Sequence, residues 1–466
     1  MTPLDGLPVL CAAAMREAEA RAMAAGATVD TLMARAGTGV AQWVTRLAGE
    51  REILLLCGPG SNGGDGYVAA AQLRAMGCKV RVAALGPPAT DAAMRARSGW
   101  DGPVDDVMTA PPAPILVDAL FGTGLSRPVA PMVLDRLAEL AAAAWLSVAV
   151  DLPSGVASDD GSESGAPVPS FDVTLALGAL KPAHLLQPAA QRCGSVRLID
   201  LGLGNALDDA ADRVIAAPNL PVPGAGDYKY SRGLVGVVAG AMPGAAALAI
   251  VAAMHAGAGS GLVIGGEAML LPHAVVRKPW SDNLSALLGD RPTTALVIGP
   301  GLGRDGEASR RLDIALASPL PLVIDGDALH LLADRHFAFA DRAAPVILTP
   351  HAGEFRALFG DWQGSKLTAT RAAARRCGAV VVFKGADTVV AHPDGTARIS
   401  LPGDPWLSTA GTGDVLAGAI GALLAAGVAD AASAGVWLHG AAARLVPKPF
   451  LADDLALALG KARRSR

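Results

Sequence analysis

Short apolar runs recur along the chain at intervals that suit alternating strands and helices. In the first half they are ILLLC (53–57), KVRVAAL (79–85), ILVDAL (115–120), LSVAVDL (146–152) and FDVTLAL (171–177). Continuous apolar runs of this length fit strands buried on both faces. Stretches with helical spacing lie between them, such as Tyr67–Met76 and Met132–Ala144. The alternation predicts a parallel sheet with helices on both sides.

The pattern breaks at APNLPVPGAGDYKYSRG, from Ala217 to Gly233, which is rich in Pro and Gly. This segment reads as a linker or as the first loop of a new domain. The apolar runs then restart as LVGVVAG, ALVIGPG, PLVIDGD, PVILTPH and VVVFKG. The expected organisation is one α/β domain over residues 1–216, a linker over 217–232 and a second α/β domain over 233–466. A length of 466 residues suits two or three domains. No short-period repeat is visible.

Composition narrows the class. Hydrophobic residues make up 52% and charged residues 18%, against about 25% charged in ordinary soluble domains. Abundant Ala and Gly account for the difference and predict helices packed tightly on sheets. The mean hydropathy of +0.38 raises the question of a membrane span. The best candidate, Gly244 to Gly266, is interrupted by His255, Gly257, Gly259 and Gly261. It reads as a buried helix, a glycine turn and a strand, not a span of about 20 apolar residues. The N-terminus lacks the basic start and apolar core of a signal peptide and fits a surface helix ending at Gly26. Cys11, Cys57, Cys78, Cys193 and Cys377 form no CxxC pair and are odd in number, which argues against disulfides and zinc. The expected location is the reducing cytoplasm. Net charge is −4, and the only basic cluster is the terminal KARRSR. Nucleic acid and membrane are therefore not expected partners. The sequence leaves open whether the chain forms a homo-oligomer.

Three apolar runs of the first half end in polar, glycine-rich turns: LLLCGPGSNGGDG, ILVDALFGTGL and VAVDLPSG. Ligands of open parallel sheets bind beyond the carboxyl ends of the strands, so Asn62, Asp65, Asp118 and Asp151 are expected to share one crevice. Taken singly, a glycine turn is often only a turn, and an Asp at a strand end often only a helix cap. Three together point to a binding site. Backbone N–H groups at the start of the following helix would favour a phosphate.

GPGSNGGDG, VDALFGTGLSRP and VDLPSG, with ALGALKPAHLL and GSVRLIDLGLG, resemble the NAD(P)H-hydrate epimerase domain, from about Met15 to Gly204. The resemblance implies a Rossmann-like sandwich. It implies that Ser61, Asn62, Gly63, Gly64 and Asp65, the stretch Gly122, Thr123, Gly124, Leu125, Ser126, Arg127 and Pro128, and Asp151 hold the hydrated dinucleotide. It also implies potassium ligands at Asn62, Asp118 and Ser154, in keeping with the preference of a hard cation for oxygen. Ser61 stands where the family usually has a further Asn. The hydrated ring carries a hydroxyl on the carbon beside nitrogen. A carboxylate within reach could shuttle its proton, and Asp118 is the expected group. Its alternative role is as a cation ligand alone.

In the second half, STAGTGDVLAGAIGALLAAG leads small residues into an apolar helix. The unpartnered N–H groups of its first turn form an anion site, with Asp414 placed to take a proton from a substrate hydroxyl. Taken alone, Asp414 has the alternative of simply occupying a favourable first turn. The GTGD helix resembles that of ribokinase-like enzymes, where it stabilises a transferring phosphoryl group. LVGVVAGAMPGAAALAIVAAMHAGAG, VIGPGLG, VIDGDALHLL, ILTPHAGEF and FKGADTVVA extend the resemblance to ADP- or ATP-dependent NAD(P)H-hydrate dehydratase. The resemblance implies substrate contacts at Ala245, Gly303, His351 and Asp414, and nucleotide contacts at Lys384, Gly385, Ala386, Asp387, Thr388 and Gly413. His351 has the alternative of capping the next helix, and Lys384 that of a solvated edge.

The implied protein is bifunctional: it epimerises hydrated NADH and NADPH, then dehydrates the S form with ADP, giving AMP and phosphate. Asp118 and Asp414 are the expected catalytic residues, K+ and Mg2+ the expected ions, and ADP the co-substrate. The competing reading is a small-molecule kinase of the vitamin-precursor type with an accessory Rossmann-like domain. A non-catalytic scaffold in the first half is disfavoured by the presence of Asp118 and Asp151. An NAD-linked dehydrogenase is disfavoured because GPGSNGG lacks GxGxxG spacing.

Overall fold

The computed structural model describes residues 3–125, 127–163, 165–266, 269–284, 288 and 293–464. The chain divides into two compact α/β units, residues 1–213 and 214–466. The connector expected over 217–232 falls inside the second unit and carries no helix or strand.

The strands of the first unit are Pro8–Val9 (β1), Ile53–Cys57 (β2), Val80–Ala84 (β3), Val104–Asp106 (β4), Ile115–Ala119 (β5), Leu146–Val150 (β6), Val173–Leu177 (β7) and Ser195–Ile199 (β8), and Asp212–Val214 (β9) spans the boundary between the units. The seven from β2 to β8 form a parallel sheet in the order β4-β3-β2-β5-β6-β7-β8. The five apolar runs are all strands of this sheet. Successive residues of β2 face opposite layers. Ile53, Leu55 and Cys57 pack with residues of the helices Ala12–Ala24, Val29–Ala48 and Ser61–Ala75, while Leu54 and Leu56 pack against Leu134, Leu137 and Leu140 of Pro131–Ala143. Burial on both faces explains why these runs do not alternate. Strand order reverses between β2 and β5, which sets a crevice beyond their carboxyl ends.

The second unit continues with Leu234–Val238 (β10), Ser260–Ile264 (β11), Val275–Lys278 (β12), Ala295–Ile298 (β13), Leu322–Ile324 (β14), Val346–Leu348 (β15), Val380–Phe383 (β16), Val389–Ala391 (β17) and Ala397–Ile399 (β18). Their order is β18-β17-β16-β15-β14-β13-β10-β11-β12, parallel except for the β16–β17–β18 meander. The reversal here lies between β10 and β13. The stretch read as a broken span is the helix Pro243–Ala256, a left-handed Gly257 and β11. Among the described residues no helix is long and apolar enough to cross a membrane. That helix crosses the helix Thr412–Ala425 so closely that a Cβ on Gly418 would lie 2.0 Å from the Ala249 carbonyl oxygen. The Ala- and Gly-rich composition serves this close packing.

Candidate active sites

In the first unit the three turns do converge. They border a cavity of about 530 Å³ whose wall includes Ser61, Asn62, Asp65, Gly122, Thr123, Gly124, Leu125 and Asp151, together with Arg16, Glu19 and Lys181. The turn after β2 needs glycine: a Cβ on Gly58 would lie 1.8 Å from the Leu120 carbonyl oxygen. A Cβ on Gly122 would likewise crowd Asp151 at 2.8 Å and Asn62 at 3.2 Å. Ser126 lies outside the described residues. Gly63, Gly64, Arg127 and Pro128 are not among the residues that line the cavity.

Asp151 is the most constrained residue of the site. Its φ of 66° is left-handed, a conformation that costs a non-glycine residue about 1–3 kcal/mol and persists only when neighbours impose it. The neighbours are evident. Thr123 donates to Oδ2 from N at 2.8 Å and from Oγ1 at 2.6 Å, and Lys181 Nζ donates to Oδ1 at 2.5 Å. Lys181 is only 1% exposed and also donates to the Leu177 carbonyl. His184 Nδ1 accepts from Lys181 N, so Nε2 carries the ring proton and donates to the Asp151 carbonyl at 2.7 Å. Burial works against the charge of Asp151, but Lys181 and Thr123 outweigh it and hold the carboxyl down at about 2. Burial, reinforced by Lys181, lowers His184 to about 4 and keeps it neutral.

Asp118 is fully buried and is not among the cavity-lining residues. Its Oδ1 accepts from Leu120 N at 3.1 Å and Ser154 Oγ at 2.8 Å, and its Oδ2 from Ser154 N at 2.9 Å. Burial raises its carboxyl to about 6 despite these bonds. Asp118 thus stands behind the wall, where a proton exchanged with a substrate hydroxyl would need a relay. Asn62 donates Nδ2 to the Val150 carbonyl, while its buried Oδ1 has no partner among the described residues. A buried acceptor without a donor fits a cation. Lys181, His184, Glu19 and Arg16 were not singled out in the sequence. The visible signal was only KPAH after an apolar run.

In the second unit Asp414 enters at the first turn of the helix Thr412–Ala425, whose N-cap is the left-handed Gly411. Around it stand Asp325 at the end of β14, Asp327, Glu354 and Lys384 at the end of β16. Lys384 Nζ donates to Asp325 Oδ1 at 2.6 Å and lies 3.8 Å from Glu354 Oε2. A Cβ on Gly413 would sit 3.4 Å from the same Nζ. Lys384 is therefore not a solvated edge; it reaches beneath the GTGD turn. Burial and then Asp325 raise the Asp414 carboxyl to about 7, with Lys384 opposing.

His351 is the N-cap of Ala352–Phe359. Its Nδ1 accepts from Gly353 N and Glu354 N, and Glu354 Oε2 accepts from His351 N. This capping role also aims Glu354 at Lys384. Gly303 is left-handed at φ 84°, and its N donates to Asp327 Oδ2. Ala245 packs where a Cβ on Gly301 would lie 2.9 Å away. The segment after Lys384 is held from behind, since Lys366 Nζ donates to the Lys384 carbonyl and to Asp387 Oδ1 at 2.7 Å. Thr388 Oγ1 bonds both Gly385 N and Gly385 O. Among the described residues no three acidic, His or Cys side chains are grouped to hold a metal ion.

The two folds and sites define a two-domain enzyme, with a Rossmann-like unit before a ribokinase-like one. Family models match accordingly: the YjeF-related protein N-terminus over residues 29–183, and NAD(P)H-hydrate dehydratase over 235–464. The chain is 37% identical over 417 residues to the bifunctional NAD(P)H-hydrate repair enzyme Nnr of Mycobacterium tuberculosis, covering 85% of each chain. It is 37% identical to the Mycobacterium leprae protein of that name, covering 93% of each, and 34% identical to that of Escherichia coli, covering 92% of this chain and 88% of that one. A solved ADP/ATP-dependent NAD(P)H-hydrate dehydratase from Bacillus subtilis, co-crystallised with ATP/Mg2+, is 30% identical, with a TM-score of 0.45 over 53% of this chain and 94% of that one. The chain belongs to the family of bifunctional NAD(P)H-hydrate repair enzymes.

Proposed function

We propose that a first domain over residues 1–216 interconverts the R and S epimers of hydrated NADH and NADPH, and that a second over residues 233–466 dehydrates the S epimer with ADP. The observation that carries the reading is Asp414 at a helix N-terminus beside a half-buried Lys384. In this reading Asp414 takes the proton of the ring hydroxyl, and the first-turn N–H groups hold the transferring phosphate. ADP would supply its terminal phosphate, turning the hydroxyl into a better leaving group, with NAD(P)H, AMP and phosphate as products. Gly303, Ala245 and His351 border the hydrate, and Lys384–Thr388 with Gly413 the nucleotide.

Magnesium, when bound, would neutralise the nucleotide phosphates. With no three-ligand cluster among the described residues, it would rest on the phosphates, water and at most one or two of Asp325, Asp327 and Glu354, a usual arrangement for this ion. The kinase alternative is disfavoured because such an enzyme has no use for the first cavity. The test is to incubate the protein with mixed hydrate epimers, with and without ADP. Both epimers should return to NADH with ADP. A stable phosphorylated product in its place would establish the kinase reading. ADP should outperform ATP, because a site that seats a β-phosphate beside Asp414 would drive the γ-phosphate of ATP into the hydrate.

Asn62, Asp118 and Ser154 are further proposed to hold potassium, a reading supported by the partnerless Asn62 Oδ1. The chain should melt higher in potassium chloride than in choline chloride of equal ionic strength. A ligand at 100 times its dissociation constant adds about 2.7 kcal/mol. Identical melting in the two salts would remove the ion from the site.

A further inference from the structure

The epimerase reading leaves open which group moves the proton, since Asp118 stands behind the wall. Resting on that reading, we propose that Asp65 is the catalytic acid of the first cavity, protonating the hydroxyl that leaves the hydrated ring and recovering the proton from the water that returns.

The cavity holds three carboxyl groups on three elements. Asp65 comes from the helix Ser61–Ala75, Glu19 from the helix Ala12–Ala24, and Asp151 from the turn after β6. Two cations face them, Lys181 and Arg16. Lys181 is committed to Asp151 at 2.5 Å, and Glu19 is raised by burial, with Lys181 and then Arg16 opposing. Asp65 is left 8% exposed, with no hydrogen bond reaching its carboxyl among the described residues. A buried carboxyl with no cation of its own keeps its proton. Burial first, then Asp151 and Glu19, push Asp65 well above the carboxylate range, and Lys181 only partly opposes them. Asp151 is held ionised in the same cavity. Two carboxyls driven to opposite states in one pocket make an acid and an anion, the division that acid–base sites require.

The proton balance closes. The Asp65 acid gives its proton to the ring hydroxyl, the C–O bond breaks, and its electron pair leaves with water. The ring nitrogen lone pair forms the C=N bond, and the resulting cation faces the ionised Asp151. Water then adds to the opposite face, its electrons form the new C–O bond, the C=N pair returns to nitrogen, and the released proton restores the Asp65 acid.

The test follows the interconversion of the two epimers by chromatography, with no nucleotide present, in wild-type, Asp65→Asn and Asp65→Glu proteins, with thermal melts to verify folding. We expect Asp65→Asn to lose roughly 10²–10⁴-fold in kcat with KM changed less than threefold, and Asp65→Glu to regain part of the rate. Wild-type kcat should fall toward alkaline pH, and that limb should disappear in Asp65→Asn. In H2(18)O the label should enter the hydroxyl at the epimerisation rate. A folded Asp65→Asn protein that keeps kcat within threefold, or that changes only KM, would overturn the proposal and leave Asp65 a binding residue. A wild-type protein that interconverts no epimers would instead overturn the epimerase reading itself.

Discussion

Asp414→Asn should lower ADP-driven dehydration by roughly 10²–10⁴-fold, the usual contribution of a general base. Epimer interconversion, measured without nucleotide, should be unchanged, because Asp414 belongs to the other unit. Asp414 acts as a base only when ionised, and burial beside Asp325 raises it to about 7. In the wild type, kcat/KM for dehydration should therefore drop about tenfold per pH unit below that value. The Asn variant should show no such limb. The same shift fixes the direction of a stability effect. A carboxyl whose folded pKa is raised adds stability below its unfolded pKa, near 3.9, and that stability is lost as pH rises through about 7. At pH 8 the Asn variant, relieved of a disfavoured charge, should melt no lower than the wild type. Near-normal turnover in Asp414→Asn would refute the mechanism at its centre.

What the sequence revealed and what it concealed have physical causes. The central strands were legible because both their faces are buried, so each is an unbroken apolar run. The glycine turns were legible because backbones approach there within the radius of a Cβ. The edge strand β18 of the second sheet was not: it is only Ala397–Ile399, and Arg398 breaks its apolar run. Asp118 and Asp151 drew equal notice as strand-end acids, yet one lies behind the wall and the other on it. Their difference arises from the left-handed turn at Asp151, which no spacing announces. Asp325 carries the same strand-end signal in VIDGD and was passed over. Glu19 sits in MREAEARAM, which reads as a solvated helix until one face of it is seen to line a cavity. Lys181 was hidden most completely. It follows Asp151 by thirty positions, and only burial distinguishes it from a surface lysine.

That lysine carries the second large effect. Lys181→Met should destabilise the first unit by about 3–5 kcal/mol, because it strands a buried carboxylate that has lost its cation. Lys181 is 1% exposed and the Asp151 side chain 8%, so solvent does little to screen the loss. The carboxylate also holds an unfavourable backbone: Asp151 keeps its φ of 66° through Thr123, Lys181 and His184. By the size dependence of melting, the first unit's transition should fall by roughly 6–20 °C. The pH dependence separates this cause from loss of packing. Asp151 is depressed to about 2 when folded, so its contribution is present above the unfolded value near 3.9 and fades as pH falls toward 2. In the Met variant the carboxyl can regain its proton, and the gap between wild type and variant should narrow as the solution is acidified. Adding Asp151→Asn to the Met variant should recover part of the lost stability, since no buried charge then remains unpaired, and the coupling from the double-mutant cycle should exceed 1 kcal/mol, within the ~0.5–3 kcal/mol seen for contacting pairs. Additive losses, or a gap constant from pH 7 to pH 4, would mean that Lys181 serves as apolar filling and that Asp151 holds its charge without it.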